Sequence, residues 1–163
     1  MQGHYFNSWR IIQSSRVHRV EAKLIDQDRL NQALIAGAST PVLLVAASLS
    51  PSSAGYGTHT QLGFGECVLL SLTSWPCPMC GMTTSFTHMA NGHVVQAFFT
   101  QPMGVVLFLI TLIMCTMAWS DLLFRRHLIK QFFERLTVVE PVIYWVLLAG
   151  FALGWVYKSR CML

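Results

Sequence analysis

Three cysteines crowd one short stretch, Cys67, Cys77 and Cys80, in the order C-x9-C-P-x-C-G. Thiols at this spacing can do three things. Cys77 and Cys80 can form a redox pair, with Cys67 exchanging with it as a relay. The three can ligate a metal ion with His88 or His93 as a further donor, although no standard zinc spacing is matched. Alternatively, one disulfide, between Cys77 and Cys80 or from either to Cys67, ties a loop to the start of a helix. Haem attachment through C-x-x-C-H is excluded, because residue 81 is Gly.

The element that must position these thiols follows them. Pro78 has the fixed φ of a first helical turn, so Cys77 is placed as an N-cap and a helix is predicted over 78–91. Gly92 supplies the left-handed position that ends it. Phe86, Met89 and Ala90 fall on one face, with Thr84, His88 and Asn91 largely on the other. A thiol at such a helix start meets unpaired backbone N–H groups, which favour thiolate. Thr83, Thr84 and Ser85 read as packing hydroxyls, since no acid–base partner stands at a useful spacing. Glu66 is the one acid between residues 51 and 102 and can tune a neighbouring thiol. The catalytic candidates are therefore Cys77, Cys80 and Cys67. The metal-ligand candidates are the same three with His88 and His93, and no cofactor is called for.

Composition says where this chemistry sits. Of 163 residues, 53% are hydrophobic and only 11% charged, against about 25% charged in soluble domains. Mean hydropathy is +0.49. Three segments are apolar enough to span a bilayer, at about 33–50, 103–123 and 139–157, the last short unless its ends take part at the interface. The run 94–100 is too short to cross. The fold class expected is all-α, a polytopic membrane protein with about three transmembrane helices and a short interfacial helix after the Cys-Pro-Met-Cys turn. A basic N-terminal segment, 1–32, precedes the membrane domain 33–163. Its Val17, Val20, Leu24 and Ile25 recur at helical spacing among Arg16, Arg19, Lys23 and Arg29, as in an amphipathic helix on a membrane face.

Basic residues decide the expected orientation. Arg10, Arg16, Arg19, Lys23 and Arg29 precede the first span, and Arg125, Arg126, Lys130 and Arg135 follow the second. From 51 to 102 there is neither Lys nor Arg. The positive-inside rule then places the N-terminus and the 124–137 loop in the cytoplasm and the loop and interfacial helix 51–102 outside. Lys158 and Arg160 violate it mildly. The net charge of +4 belongs to these flanking blocks, so a nucleic-acid partner is not expected. Cys115 falls mid-span as a packing residue, and Asp121 and Glu140 fall at span ends, where charge is cheap. Gly150 and Gly154 permit close helix approach, within the chain or between copies.

The run from Cys67 to Pro102 resembles the signature of a family of small bacterial integral-membrane proteins, domain of unknown function 2752. There a cysteine precedes C-P-x-C-G-hydrophobic-T-R, a short helix, G-x-x-x-x-A, and N-P before a long apolar span. The matching residues are Cys67, Cys77, Pro78, Cys80, Gly81, Met82 and Thr83, then Gly92, Ala97 and Pro102. The resemblance covers about the middle and C-terminal two-thirds of the chain. Thr84 stands where the family has Arg, and Gln101 where it has Asn. The resemblance implies a bacterial inner-membrane protein and carries no activity.

The function expected is an accessory or structural subunit of a membrane complex with a cysteine-stapled outer loop. The alternative is thiol–disulfide exchange or metal binding at the Cys-Pro-Met-Cys motif. If it were an enzyme it would be a thiol–disulfide oxidoreductase. Its partners would be the bilayer and other membrane subunits or a second copy. With the loop outside, a membrane-impermeant thiol reagent labels reduced Cys67, Cys77 or Cys80 in intact spheroplasts; labelling only after permeabilisation would reverse the orientation.

Overall fold

The computed structural model describes residues 27–124, 126, 128–136 and 140–162. The amphipathic helix expected around Val17 to Ile25 lies outside the described residues. Every described element is helical. Three helices are long and apolar enough to cross a membrane: α1 (Gln27–Ser48), α5 (Pro102–Phe124) and α7 (Glu140–Met162). The chain is thus a membrane protein of three spans. Their apolar side chains mostly face outward, as with Leu44, Leu112 and Leu148, because in lipid an apolar side chain gains little from leaving the surface. The first span starts earlier than its apolar core suggests, and the third runs on to Arg160.

Between α1 and α5 the chain folds into a cap of short helices. A 3₁₀ helix (Thr58–Leu62) is followed by α2 (Val68–Thr73), α3 (Met82–Ala90) and α4 (Val94–Thr100). The Gly/Ser/Pro-rich stretch that reads as a loop contains the 3₁₀ turn, and α2 is invisible to periodicity because it is only six residues long. Helix α3 ends as expected. Gly92 takes φ 79°, and its neighbour's amide, His93 N, reaches back to His88 O at 2.8 Å, the bond pattern of a Schellman stop. Gln101 is extended, with φ −160° and ψ 101°, as the residue before Pro102 must be, and Pro102 opens α5.

Helix α3 is the centre of the cap, and Thr84 and Ser85 pack there as the sequence reading of them as packing hydroxyls expects. Thr84, Ser85 and Thr87 are turned inward and are fully buried, while Phe86 is only half-buried. The hydroxyls go inward because each finds a partner there. Thr84 Oγ1 meets Thr58 Oγ1 at 2.8 Å, and Ser85 Oγ donates to the carbonyls of Ala97 and Gln101 at 3.0 and 3.1 Å. Gly104 lets α5 come this close, since a Cβ there would lie 2.7 Å from Ser85. Phe86 packs edge-on against Phe108, with ring centroids 5.4 Å apart. Gly150 and Gly154 serve the same end within the chain, lying against Met103 and Gln101 at the start of α5.

The opposite end of the bundle is closed by α6 (Leu128–Leu136), a short amphipathic helix in the basic stretch that reads as a loop. Ile129 packs against Ala36 and Ala118, joining α6 to α1 and α5. Asp121, expected merely at a cheap interfacial position, is buried. It accepts the first free amides of α6, from Leu128 and Ile129, each at 2.9 Å. Asp121→Ala leaves both donors unpartnered, and we expect a loss of about 0.5–2 kcal/mol, read as a lower Tm in detergent, with Asp121→Asn losing less.

Candidate functional site

The three cysteines of the sequence motif meet at the cap end. The sulfurs of Cys67, Cys77 and Cys80 all lie within 4.8 Å of one another. Cys67 precedes α2 as its N-cap, with φ −60° and ψ 113°, and its carbonyl accepts from Ser71 N at 2.9 Å. Cys77 and Cys80 stand at the two ends of one turn, closed by Cys80 N to Cys77 O at 2.9 Å. Cys80 is buried, and Cys67 and Cys77 are half-buried. Two separate backbone segments therefore converge on one sulfur-lined point.

The turn does not continue into a helix, which corrects the expected start at Pro78. Helix α3 begins at Met82, and its N-cap is Gly81 at φ 86°. The amide of Met82 closes on Met79 O at 3.0 Å first, and Ser85 N then takes Gly81 O at 2.8 Å. A left-handed residue between Cys80 and Met82 breaks the run of helical angles. Its conformation favours glycine, and its surroundings require it. A Cβ at Gly81 would sit 2.8 Å from the carbonyl oxygen of Gly55 and 3.2 Å from Lys158 Nζ.

Helix α7 holds the turn from behind. Trp155 Nε1 donates to the carbonyl of Pro76, one residue before Cys77, at 2.9 Å. Lys158 is 6% exposed and donates from Nζ to Gly55 O at 2.9 Å and Thr100 O at 3.3 Å. Tyr157 Oη donates to Phe99 O at 3.0 Å. The lysine that looked like a misplaced topology signal is thus buried in the cap as a backbone clamp. Sequence reasoning missed this role; its signal was a Lys that directly follows the apolar run of α7, four residues after Gly154.

The thiols do not form the disulfide that the loop-stapling reading requires. Cys67, Cys77, Cys80 and Cys115 are free cysteines, and a bond would need sulfurs about 2.05 Å apart. The expected thiolate-favouring helix start also moves from Cys77 to Cys67. The backbone N–H of Leu70 lowers the Cys67 thiol, against a smaller opposing effect of burial. Burial instead raises Cys77, with the hydrogen bond to Cys67 adding to it. Burial pushes Cys80 up to about 11, and charge on Cys77 or Cys67 adds to the shift.

A cleft of about 660 Å³ adjoins the sulfurs, with Glu66, His59 and Met79 also on its walls. His59 Nε2 lies 3.2 Å from Gly65 O. His88 and His93 do not join the sulfurs. They pair with each other, with ring centroids 5.8 Å apart, and burial, then the His93 charge, lowers the His88 pKa. Cys115 lies within the span, 3.5 Å from Thr40 Oγ1. Of the remaining motif residues, Pro78 lies within the turn, and Thr83 lines both this cleft and a neighbouring apolar groove of about 380 Å³ against α1. Thr84 is sealed against Thr58.

Residues 67–115 match the model of a family described as Protein of unknown function (DUF2752). The match begins at Cys67, takes in Cys77 and Cys80 and stops at Cys115, a narrower stretch than the two-thirds of the chain expected from the motif. No curated protein and no solved structure is matched by the chain.

Gly81→Ala should lower stability by more than about 1 kcal/mol and speed alkylation of Cys80. Gly92→Ala, also at positive φ but with no atom within 4 Å of the added Cβ, should change Tm less and leave Cys80 protected. Equal effects of the two variants would contradict the packing argument.

Proposed function

We propose that the chain is a three-span protein of a bacterial cytoplasmic membrane that binds a soft metal ion through Cys67, Cys77 and Cys80. One observation carries this reading: three free sulfurs from two backbone segments lie within 4.8 Å of one another. A thiolate-bound ion with metal–sulfur bonds of about 2.3 Å holds its sulfurs roughly 4 Å apart. The trio needs only small movements to match that.

The absence of Lys and Arg from 51–102, between basic flanking segments, supports a topology with the N-terminus and α6 in the cytoplasm and the thiol cap on the outer side. Residues 27–32, the last six of the basic N-terminal segment, are already part of α1. The exposed Val68, Leu69, Leu72 and Trp75 of the cap suit seating in the interfacial layer of the bilayer. With its thiols gathered in a cap on the membrane helices, the chain would serve as an accessory subunit beside another membrane protein.

Thiol–disulfide exchange is the second reading, favoured by the unlike settings of Cys67 and Cys80. The two readings separate on one sample. In the metal reading, purified reduced protein binds one Zn(II) or Cd(II) per chain. Cys67→Ser, Cys77→Ser and Cys80→Ser each weaken or abolish this, and Cys115→Ser does not. In the exchange reading, Cys80→Ser traps a mixed disulfide at Cys77, visible on a non-reducing gel.

The pH dependence has a defined sign. Cys77 and Cys80 hold their protons more tightly than an ordinary thiol, and a metal ion must displace them. Affinity should therefore rise with pH, by up to about tenfold per pH unit for each proton displaced. Binding that is flat with pH would contradict thiolate ligation by this pair.

A further inference from the structure

The metal-binding reading leaves open which ion the trio takes, and the donor set narrows it. We propose that the site is built for monovalent copper, captured through Met79 and held by Cys67, Cys77 and Cys80. The inference rests on the metal-binding reading and goes beyond it by choosing among ions.

Three observations converge on this choice. First, the ligand group contains three sulfurs and, among the described residues, no imidazole or carboxylate within the same 4.8 Å. Structural zinc almost always takes four protein ligands, and hydrolytic zinc prefers nitrogen and oxygen donors. Monovalent copper is satisfied by two or three soft sulfurs, and its preference for thiolate and thioether is the strongest among the common biological ions.

Second, the cleft beside the thiols carries a thioether. Met79 lies inside the turn between Cys77 and Cys80, lines the cleft and is 63% exposed. A thioether binds monovalent copper and has little affinity for zinc. Met82, which also lines the cleft, is different: its sulfur packs towards α5, 3.3 Å from where a Gly104 Cβ would lie.

Third, the thiols are graded from mouth to interior. Cys67 and Cys77 are half-buried and Cys80 is buried. An ion that meets Met79 first can pass to Cys67 and Cys77, releasing the thioether, and then gain Cys80 as its third sulfur. Each thiol releases its proton as the copper–sulfur bond forms, and the copper stays monovalent throughout, so no electron acceptor is needed.

The test uses the full chain, reduced and in detergent, with Cu(I) supplied from a chromophoric chelator and Zn(II) as competitor. Cu(I) should displace Zn(II) from the wild-type chain at one ion per chain. Cys67→Ser should abolish Zn(II) binding and keep Cu(I) on the Cys77–Cys80 pair. Met79→Leu should slow Cu(I) capture and leave Zn(II) binding unchanged; helicity and Tm confirm that each variant is folded. Zn(II) held against excess Cu(I), or parallel losses of both ions in Cys67→Ser and Met79→Leu, would overturn the copper assignment while sparing the metal-binding reading. A wild-type chain that binds neither ion removes that reading and the inference with it.

Discussion

The buried ammonium of Lys158 is the contact on which the cap depends. At the end of a membrane span, backbone carbonyls in turns and at helix C-termini have few water molecules to satisfy them. Lys158 donates to two such carbonyls, Gly55 before the cysteines and Thr100 after them. It thereby ties the third span to both ends of the cap and lies against Gly81, the residue that ends the thiol turn. Trp155 fixes the other end of that turn through Pro76. The thiols are therefore placed by backbone held from behind, with no cross-link needed among them.

That arrangement explains why the sulfurs can be close and still unbonded. Cys77 and Cys80 are set by a turn that a left-handed glycine interrupts, and Cys67 arrives on a separate short helix. Their common position results from three segments packing, with Ser85 and Thr84 closing α3 onto α4, α5 and the 3₁₀ turn. A site assembled this way keeps its thiols available to a ligand. It also makes the thiols sensitive to distant changes in α7, since the clamp residues are supplied from there.

Much of this was legible in the sequence, for physical reasons that differ by element. The three spans were readable because bilayer thickness dictates a long apolar run. Gly92 was readable as a stop because one residue type dominates that position. The start of α3 was misread, since Pro78 suits a helix start but Gly81, four residues after Cys77, imposes a second turn first. Helix α2 escaped because six residues give too little periodicity. Helix α6 shows helical spacing in Leu128, Ile129, Phe132, Phe133 and Leu136, and was passed over because its basic residues were read only as a topology signal. The hydroxyls of α3 were readable as packing groups, and what the sequence did not show was their partners, Thr58 and the carbonyls of Ala97 and Gln101. The convergence of Cys67 on the pair was foreseeable from compartment and number, and its unbonded state was not, because spacing does not report sulfur geometry. The role of Lys158 was hidden because its partners lie far away in sequence.

The most direct test of the account is the mass of the chain as it comes from the membrane. Native mass spectrometry of protein extracted in mild detergent without chelator should show a chain heavier than the apo form by one metal ion. Alkylation of Cys67, Cys77 and Cys80 should be complete only after a soft chelator removes that ion. A chain with no bound ion, lighter than the reduced apo form by the two hydrogens of a disulfide and resistant to alkylation until reduced, would contradict it.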